Sequence, residues 1–380
     1  MQNSIFSNRN FKLLWFGHLI SSIGDIIFMI ALPWLMLSLT GSKSLTALIL
    51  MNAYLPAIIF GLLAGSIADR YSRKHIMLVS DLARLVLLAL IPFSLIYNFG
   101  SPLLIALVTF TLSSFSTFFN PARDSLIPQI AKPEELSIAN SAISVSGQMA
   151  HLLGPLFAGV GVATFGMMHL FTVDAISFLL SFIFIKLIKV PTLNIQKHKS
   201  NLDWSLLYDG LKYLKKNKGF TYLLFLTSLN NIFIMGPAII GIPVYVKEEL
   251  NSNFATLLKL ESSMAVGMII GSFIFLFLIN FFKPIYILLF GILIDGLTYS
   301  LLYFTDTVFL SILVLLVHGL AIPLITISRT TIIQKTVPDK FRGRIFSMNY
   351  MAVMGTTAFS IFITGFLLEF ISTKLLFLII

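Results

Sequence analysis

The sequence contains no cysteine, which removes disulfides, thiolate metal sites and a cysteine nucleophile from consideration. Charge is scarce as well. Asp, Glu, Lys and Arg make up 11% of the 380 residues, where a soluble domain carries about 25%. So few charges cannot clothe a surface when 57% of the chain is apolar and the mean hydropathy is +0.94. A soluble globular fold is excluded on that ground, and so are a disordered chain and a nucleic-acid binder. No Gly-x-x-x-x-Gly-Lys-Ser/Thr phosphate loop is present, which disfavours an ATP-driven pump, and neither His-Glu-x-x-His nor Gly-x-Ser-x-Gly occurs. The chain therefore does not read as an enzyme, and nothing in it calls for a cofactor or metal. A cleavable leader is missing too: Arg9 and Lys12 precede an apolar run to Leu39 that is too long for a signal core.

What is present is a series of long uncharged runs. Residues 44–68, 85–122, 136–173, 219–246, 262–282, 307–328 and 345–368 hold no Lys, Arg, Asp or Glu. As one helix, 85–122 or 136–173 would extend roughly 57 Å, nearly twice the hydrocarbon thickness. Each is predicted to fold back, at Asn98-Phe99-Gly100-Ser101-Pro102 and at Thr164-Phe165-Gly166. The pattern predicts an all-α integral membrane protein with spans near 12–39, 44–68, 76–98, 102–120, 137–164, 168–188, 219–246, 255–281, 285–304, 307–328, 345–370 and 375 onward. The twelfth is cut short by the end of the sequence. Of the 26 Lys and Arg residues, 21 fall on the side of the N-terminus when the connections are alternated. That asymmetry predicts a bacterial inner-membrane protein with a cytoplasmic N-terminus, and it accounts for nearly all of the +10 net charge.

Short patterns recur at one offset. Gly61-x-x-x-Gly65-Ser66 returns as Gly267-x-x-x-Gly271-Ser272, Gln129-x-x-x-Pro133-Glu134 as Gln334-x-x-x-Pro338-Asp339, and Arg123 as Arg329. The chain accordingly divides into an N-terminal six-helix half (1–188), a cytoplasmic central loop (189–218) and a C-terminal half (219–380). Both halves start on the same side, so the repeat is parallel, and a substrate site is expected between them near the midplane. In the loop, Leu202, Leu206, Leu207, Leu211 and Leu214 recur at helical spacing beside a lysine cluster, predicting an amphipathic helix on the inner membrane surface.

The segment Gly65-Ser66-Ile67-Ala68-Asp69-Arg70-Tyr71-Ser72-Arg73-Lys74 resembles the loop signature of the major facilitator superfamily, with Ser72 in place of the usual second glycine. Asn10-Phe11-Lys12-Leu13-Leu14-Trp15, Pro121-Ala122-Arg123, Asp209-Gly210-Leu211-Lys212-Tyr213 and Arg342-Gly343-Arg344 are similar to the macrolide-efflux branch. The resemblance covers essentially the whole chain and implies a twelve-span major-facilitator-type fold. It implies that Gly65, Asp69, Arg70 and Arg73, joined by Asp81 and Arg84 on span three, act as a conformational latch, with Asp69 against the start of span eleven near Ile345. Lys74 is assigned to topology alone. Gly154-Pro155-x-x-x-Gly159 resembles part of the exporters' antiporter motif. An arginine common within span four of such exporters has no counterpart in 102–120.

An ionisable group inside the hydrocarbon is costly, so each one marks a candidate site. His18, Ser21, Ser22 and Asp25 fall within an arc of about 100° on span one. Ser141, Ser144, Gln148, His151 and Pro155 form a second polar stripe on span five, of roughly 80°. The resemblance adds spans seven and ten to the cavity lining, with Asn230, Asn231 and His318. Asp295 on span nine reads as a structural pair. The function expected is proton-coupled efflux of amphiphilic, drug-like or macrolide-like small molecules by alternating access, with Asp25 as the coupling acid. Expected partners are the small-molecule substrate, protons and membrane lipid, not nucleic acid, and the protein is expected to be a monomer. Export of an endogenous metabolite such as a siderophore is one alternative. A non-transporting membrane scaffold or receptor is another.

Overall fold

The computed structural model describes residues 5–132, 135–190, 217–337 and 339–380, with backbone only at Leu62, Asp69, Ser137, Ser347 and 339–344. Among them every long regular element is a helix: α1 (Arg9–Thr40), α2 (Lys43–Met51), α3 (Leu55–Arg70), α4 (Arg73–Ile96), α5 (Pro102–Ile130), α6 (Leu136–Phe165), α7 (His169–Leu187), α8 (Lys218–Gly236), α9 (Phe254–Leu278), α10 (Pro284–Leu302), α11 (Val308–Thr336), α12 (Asp339–Leu367) and α13 (Thr373–Ile379). Eleven stretches are long and apolar enough to cross a membrane. The twelfth expected span corresponds to the seven-residue α13. The amphipathic helix expected in the central loop falls largely on 191–216, outside the described residues.

Local chemistry sets the helix ends. Ser72, Ser101, Asn253, Thr307 and Ser372 each accept a hydrogen bond from the backbone N–H three residues on, satisfying a donor that the first turn leaves open. The two hairpins form where expected. Asn98 turns the chain at φ 59° before Pro102 opens α5, and Gly166 takes φ 84° after α6. The expected span 44–68 is broken at 52–54 into α2 and α3. Spans four and ten run further than expected: α5 continues to Ile130 and α11 to Thr336, each 29 residues or roughly 43 Å. Pro121 and Pro128 are carried inside α5, so the Pro121-Ala122-Arg123 segment is helix and not loop.

The chain divides into two compact units. The first holds α1 up to Leu32 and α3–α7; the second holds Pro33–Met51 and α8–α13. Residues 33–51 thus group with the second unit. In the first unit α4 packs on α5 and α7, and α3 on α5. In the second, α11 packs on α9 and α10, and α12 on α8 and α2. A buried cluster in the first unit includes Phe11, Leu14, Met77, Phe119, Leu126 and Ile185. Many large apolar side chains, among them Phe93, Leu103, Phe273 and Phe309, stay exposed on the helices, as a lipid-facing surface requires and an aqueous one would not allow.

Candidate functional site

In the first unit, polar chemistry gathers where α1, α4 and α7 meet. Asp81 and Arg84, 0% and 3% exposed, form an ion pair one helical turn apart. The other Asp81 oxygen accepts from Ser181 Oγ of α7 at 2.7 Å. The Arg84 guanidinium lies between two rings, 4.4 Å from Phe119 and 4.1 Å from Phe178, so its flat faces are covered by aromatic quadrupoles rather than bare hydrocarbon. These two residues serve a network inside the helix bundle, joined to α5 and α7.

Asp25 is half-buried on α1, within electrostatic reach of Arg84 and Asp81. Asp174 of α7, which the sequence reading missed, is 1% exposed and lies within electrostatic reach of Asp25. Its Oδ1 accepts from Ser177 Oγ at 3.1 Å, while Oδ2 is buried without a partner. Gly24 makes this approach possible, because a Cβ there would overlap both Asp174 Oδ1 and Ser177 Oγ. Three acids and one base thus share the region. All ionised, they would place two net negative charges in hydrocarbon, which lost hydration and mutual repulsion disfavour. Arg84 pairs with Asp81. Asp25 and Asp174 are left without a cation of their own, within electrostatic reach of each other.

Nearer the start of α1, His18 is half-buried and bonds Ser22 Oγ through Nδ1 at 3.2 Å. Arg123 of α5 reaches the His18 ring, with Nη1 3.2 Å from Nε2, and pairs with Asp124. The expected span 102–120 holds no arginine, but the helix extends past Pro121 and so carries Arg123. The Asn10 to Trp15 motif ties this end together: Asn10 bonds the Lys189 backbone in both directions and Trp15 Nε1 donates to Ala142 O. Lys74, assigned to topology alone, donates to Lys186 O and Ile188 O at the end of α7, a cation on orphan carbonyls.

Of the remaining latch residues, Arg70 is exposed and Arg73 half-buried. The Asp69 side chain, expected against the start of span eleven near Ile345, lies outside the described residues. Among the described residues nothing lies within 4 Å of a Cβ added at Gly65. On α6, Ser141, Ser144, Gln148 and His151 are all exposed along one stripe. Gly154 and Pro155 are buried and Gly159 half-buried. A Cβ at Gly154 would overlap Ile26, so this glycine lets α6 approach α1.

The second unit has its own polar cluster. Asn230 of α8 donates to Asp295 Oδ2 of α10 at 3.1 Å. His318 of α11 lies 3.3 Å from Asp295 Oδ1 and 3.1 Å from Thr298 Oγ1. Asp295 and His318 are each 2% exposed, so His318 packs in a closed pair instead of lining an open surface. Asn231 is consumed by α12, donating to Val353 O, Thr356 Oγ1 and Thr357 Oγ1. Glu261 on α9, read from sequence only as the end of an uncharged run, is half-buried and acts on buried Tyr299. Among the described residues no group of three or more His, Asp or Glu is arranged to hold a metal.

Comparison with known proteins returns one consistent picture. The transmembrane secretion effector family matches residues 2–379. Macrolide efflux protein A of Streptococcus pyogenes is 23% identical over 342 residues, covering 89% of this chain and 84% of that protein. Multidrug efflux pump Tap of Mycolicibacterium fortuitum is 28% identical over 184 residues, covering 47% of this chain and 45% of Tap. In fold, a mutant of the nucleoside transporter NupG superposes with a TM-score of 0.79 at 16% identity, over 97% of this chain and 96% of NupG.

Proposed function

The chain belongs to the transmembrane secretion effector family of the major facilitator superfamily, in its macrolide-efflux-like branch, and from that premise we propose that this multi-pass transporter exports amphiphilic, drug-like or macrolide-like small molecules in exchange for protons. The efflux relatives support the direction and the substrate class. The observation that carries the coupling is the Asp25–Asp174 pair, two acids beside a single arginine already engaged by Asp81. Such a pair holds one proton readily and resists losing it to leave two charges in hydrocarbon. In the inward-open state, ionised Asp25 helps to hold an amphiphilic molecule, and the exposed Gln148 and His151 stripe supplies adaptable polar contacts. After the outward transition a proton neutralises Asp25, weakens the hold on the substrate and makes the return step less costly. Each proton moving inward delivers about 2.3 kcal/mol per 100 mV of membrane potential. The protein acts as a monomer in a bacterial inner membrane, with its N-terminus in the cytoplasm, as the distribution of Lys and Arg supports.

The test is efflux of ethidium and erythromycin from energised cells, with and without a protonophore, for the wild type and Asp25→Asn. The expected outcome is protonophore-sensitive efflux, lowered at least about tenfold by Asp25→Asn, the scale of one lost ionic contact. Wild-type rates and an unchanged pH profile in that variant would sink the assignment of Asp25.

A further inference from the structure

The second unit contains a buried acid and imidazole that export through Asp25 does not employ. We propose that Asp295 and His318 form a second proton-binding site, at which His318 takes up a proton beside the Asp295 carboxylate. The site is independent of Asp25 and lies in a different unit.

Hydrogen-bond accounting fixes the tautomer. Thr298 Oγ1 lies 2.8 Å from Ile294 O and 2.9 Å from Asp295 O. Carbonyls only accept, so the Thr298 proton is committed to the backbone. Its oxygen, 3.1 Å from His318 Nδ1, must then accept. Nδ1 therefore carries hydrogen and also faces Asp295 Oδ1 at 3.3 Å. Asn230 Nδ2 donates to the second carboxylate oxygen at 3.1 Å. With Nδ1 a donor, Nε2 is left with the lone pair and is the atom that binds a proton. The protonated state is an imidazolium against a carboxylate, with no net charge. Loss of the proton from Nε2 leaves one negative charge on a pair that is 2% exposed at each member. The neutral state is the one that hydrocarbon favours.

The neighbours leave proton occupancy in control. From α10, Tyr299 sets its ring edge against the imidazole at 4.7 Å between centroids. From α9, Glu261 acts on Tyr299. From α8 comes only the neutral Asn230, and from α13 Phe377, which covers Tyr299. The Tyr299 hydroxyl is buried without a partner. Among the described residues no lysine or arginine acts on Asp295. A fixed cation, which pairs with Asp81 in the first unit, is thus missing from the surroundings of Asp295 among the described residues.

The full chain, labelled with 15N-histidine and held in nanodiscs of phosphatidylethanolamine and phosphatidylglycerol, provides the test. Of six histidines, the resonances missing in His318→Gln belong to His318. The expected result is an Nδ1–H imidazole that becomes doubly protonated, reversibly, between about pH 8 and 5. Asp295→Asn keeps the shape and removes the negative acceptor, so the protonated fraction of His318 at a fixed pH should fall roughly tenfold. Asp25→Asn should leave the His318 titration unchanged, which separates failure of this site from failure of the exporter assignment. Unaltered resonances of the other histidines certify the fold. A His318 that stays neutral across the range, or that titrates alike with and without the Asp295 carboxylate, overturns the proposal. Should Asp295→Asn not fold, the wild-type titration decides alone.

Discussion

In the first unit, Asp25, Asp81 and Asp174 gather around Arg84; in the second, Asp295 faces His318. The difference is one of permanence. A guanidinium stays charged at any physiological pH, so it pins one carboxylate in the ionised state and leaves the other acids to compete for protons. An imidazole can gain or drop its charge, so the second cluster has no permanent cation and adjusts when its partner is disturbed. Two answers to the same cost of buried charge therefore predict unequal penalties for the same kind of damage.

The largest expected effect is at Arg84. Truncation in Arg84→Met leaves Asp81, 0% exposed, as an uncompensated buried charge, a loss of about 3–5 kcal/mol. Arg84→Lys keeps the charge and loses the flat stack between Phe119 and Phe178, so it should fall between Met and the wild type. The matching change in the second unit, His318→Gln, should cost less, about 1–3 kcal/mol, since Asp295 keeps Asn230 as a donor. Thermal unfolding in detergent micelles ranks the three. Equal losses at Arg84 and His318 would break the comparison.

A smaller contrast lies in packing. Both units carry the Gly-x-x-x-Gly pair found by repeat, yet only one is interlocked. A Cβ at Gly319 of α11 would overlap Met264 O, and one at Gly267 of α9 would overlap Leu316 O, both backbone atoms that cannot swing aside. Among the described residues, nothing lies within 4 Å of a Cβ at Gly61 or Gly65. Gly319→Ala should therefore cost about 1–3 kcal/mol. Gly61→Ala should be neutral or stabilise by about 0.5–1 kcal/mol, through the higher helix propensity of alanine. The same micelle melts measure both.

Spans and hairpin turns were legible because long uncharged runs and the Asn98 and Gly166 breaks are local signals. The polar faces of α1 and α6 were legible from helical periodicity alone. Asp174 was passed over although it lies within the expected span 168–188; its approach to Gly24 exists only once α1 lies on α7, a contact that no spacing within one helix records. Arg123 was hidden for a different reason. Pro121 reads as a helix stop, but it sits inside α5, and the turns that continue past it carry Arg123 to His18. Asp295 was expected to be a structural pair with no named partner; its neighbours Asn230 and His318 come from helices about 65 and 23 residues away in sequence.

The smallest effect concerns the segment 33–51, which groups with the second unit. Glu369, just past α12, accepts at Oε1 from Ser44 N at 2.9 Å, Ser44 Oγ at 3.0 Å and Ser42 Oγ at 3.1 Å. The Ser44 backbone N–H, followed by the hydroxyls, holds the Glu369 carboxyl below its ordinary value. A carboxyl lowered by folding contributes stability that is present above its unfolded value, about pH 4.3, and is lost as pH falls through the lower folded value. The group is exposed, so solvent screening reduces the gain to roughly 0.3–1 kcal/mol. Glu369→Gln should accordingly speed hydrogen exchange at the Ser44 amide about two- to five-fold at neutral pH. At a pH below the folded value the wild type is protonated as well, and the two proteins should exchange alike. Exchange at the Tyr245 and Ile240 amides, deeper in the second unit, should be the same in both. If Glu369→Gln accelerated those as well, the contact would be holding the unit itself together, and its weak, surface-level role would be wrong.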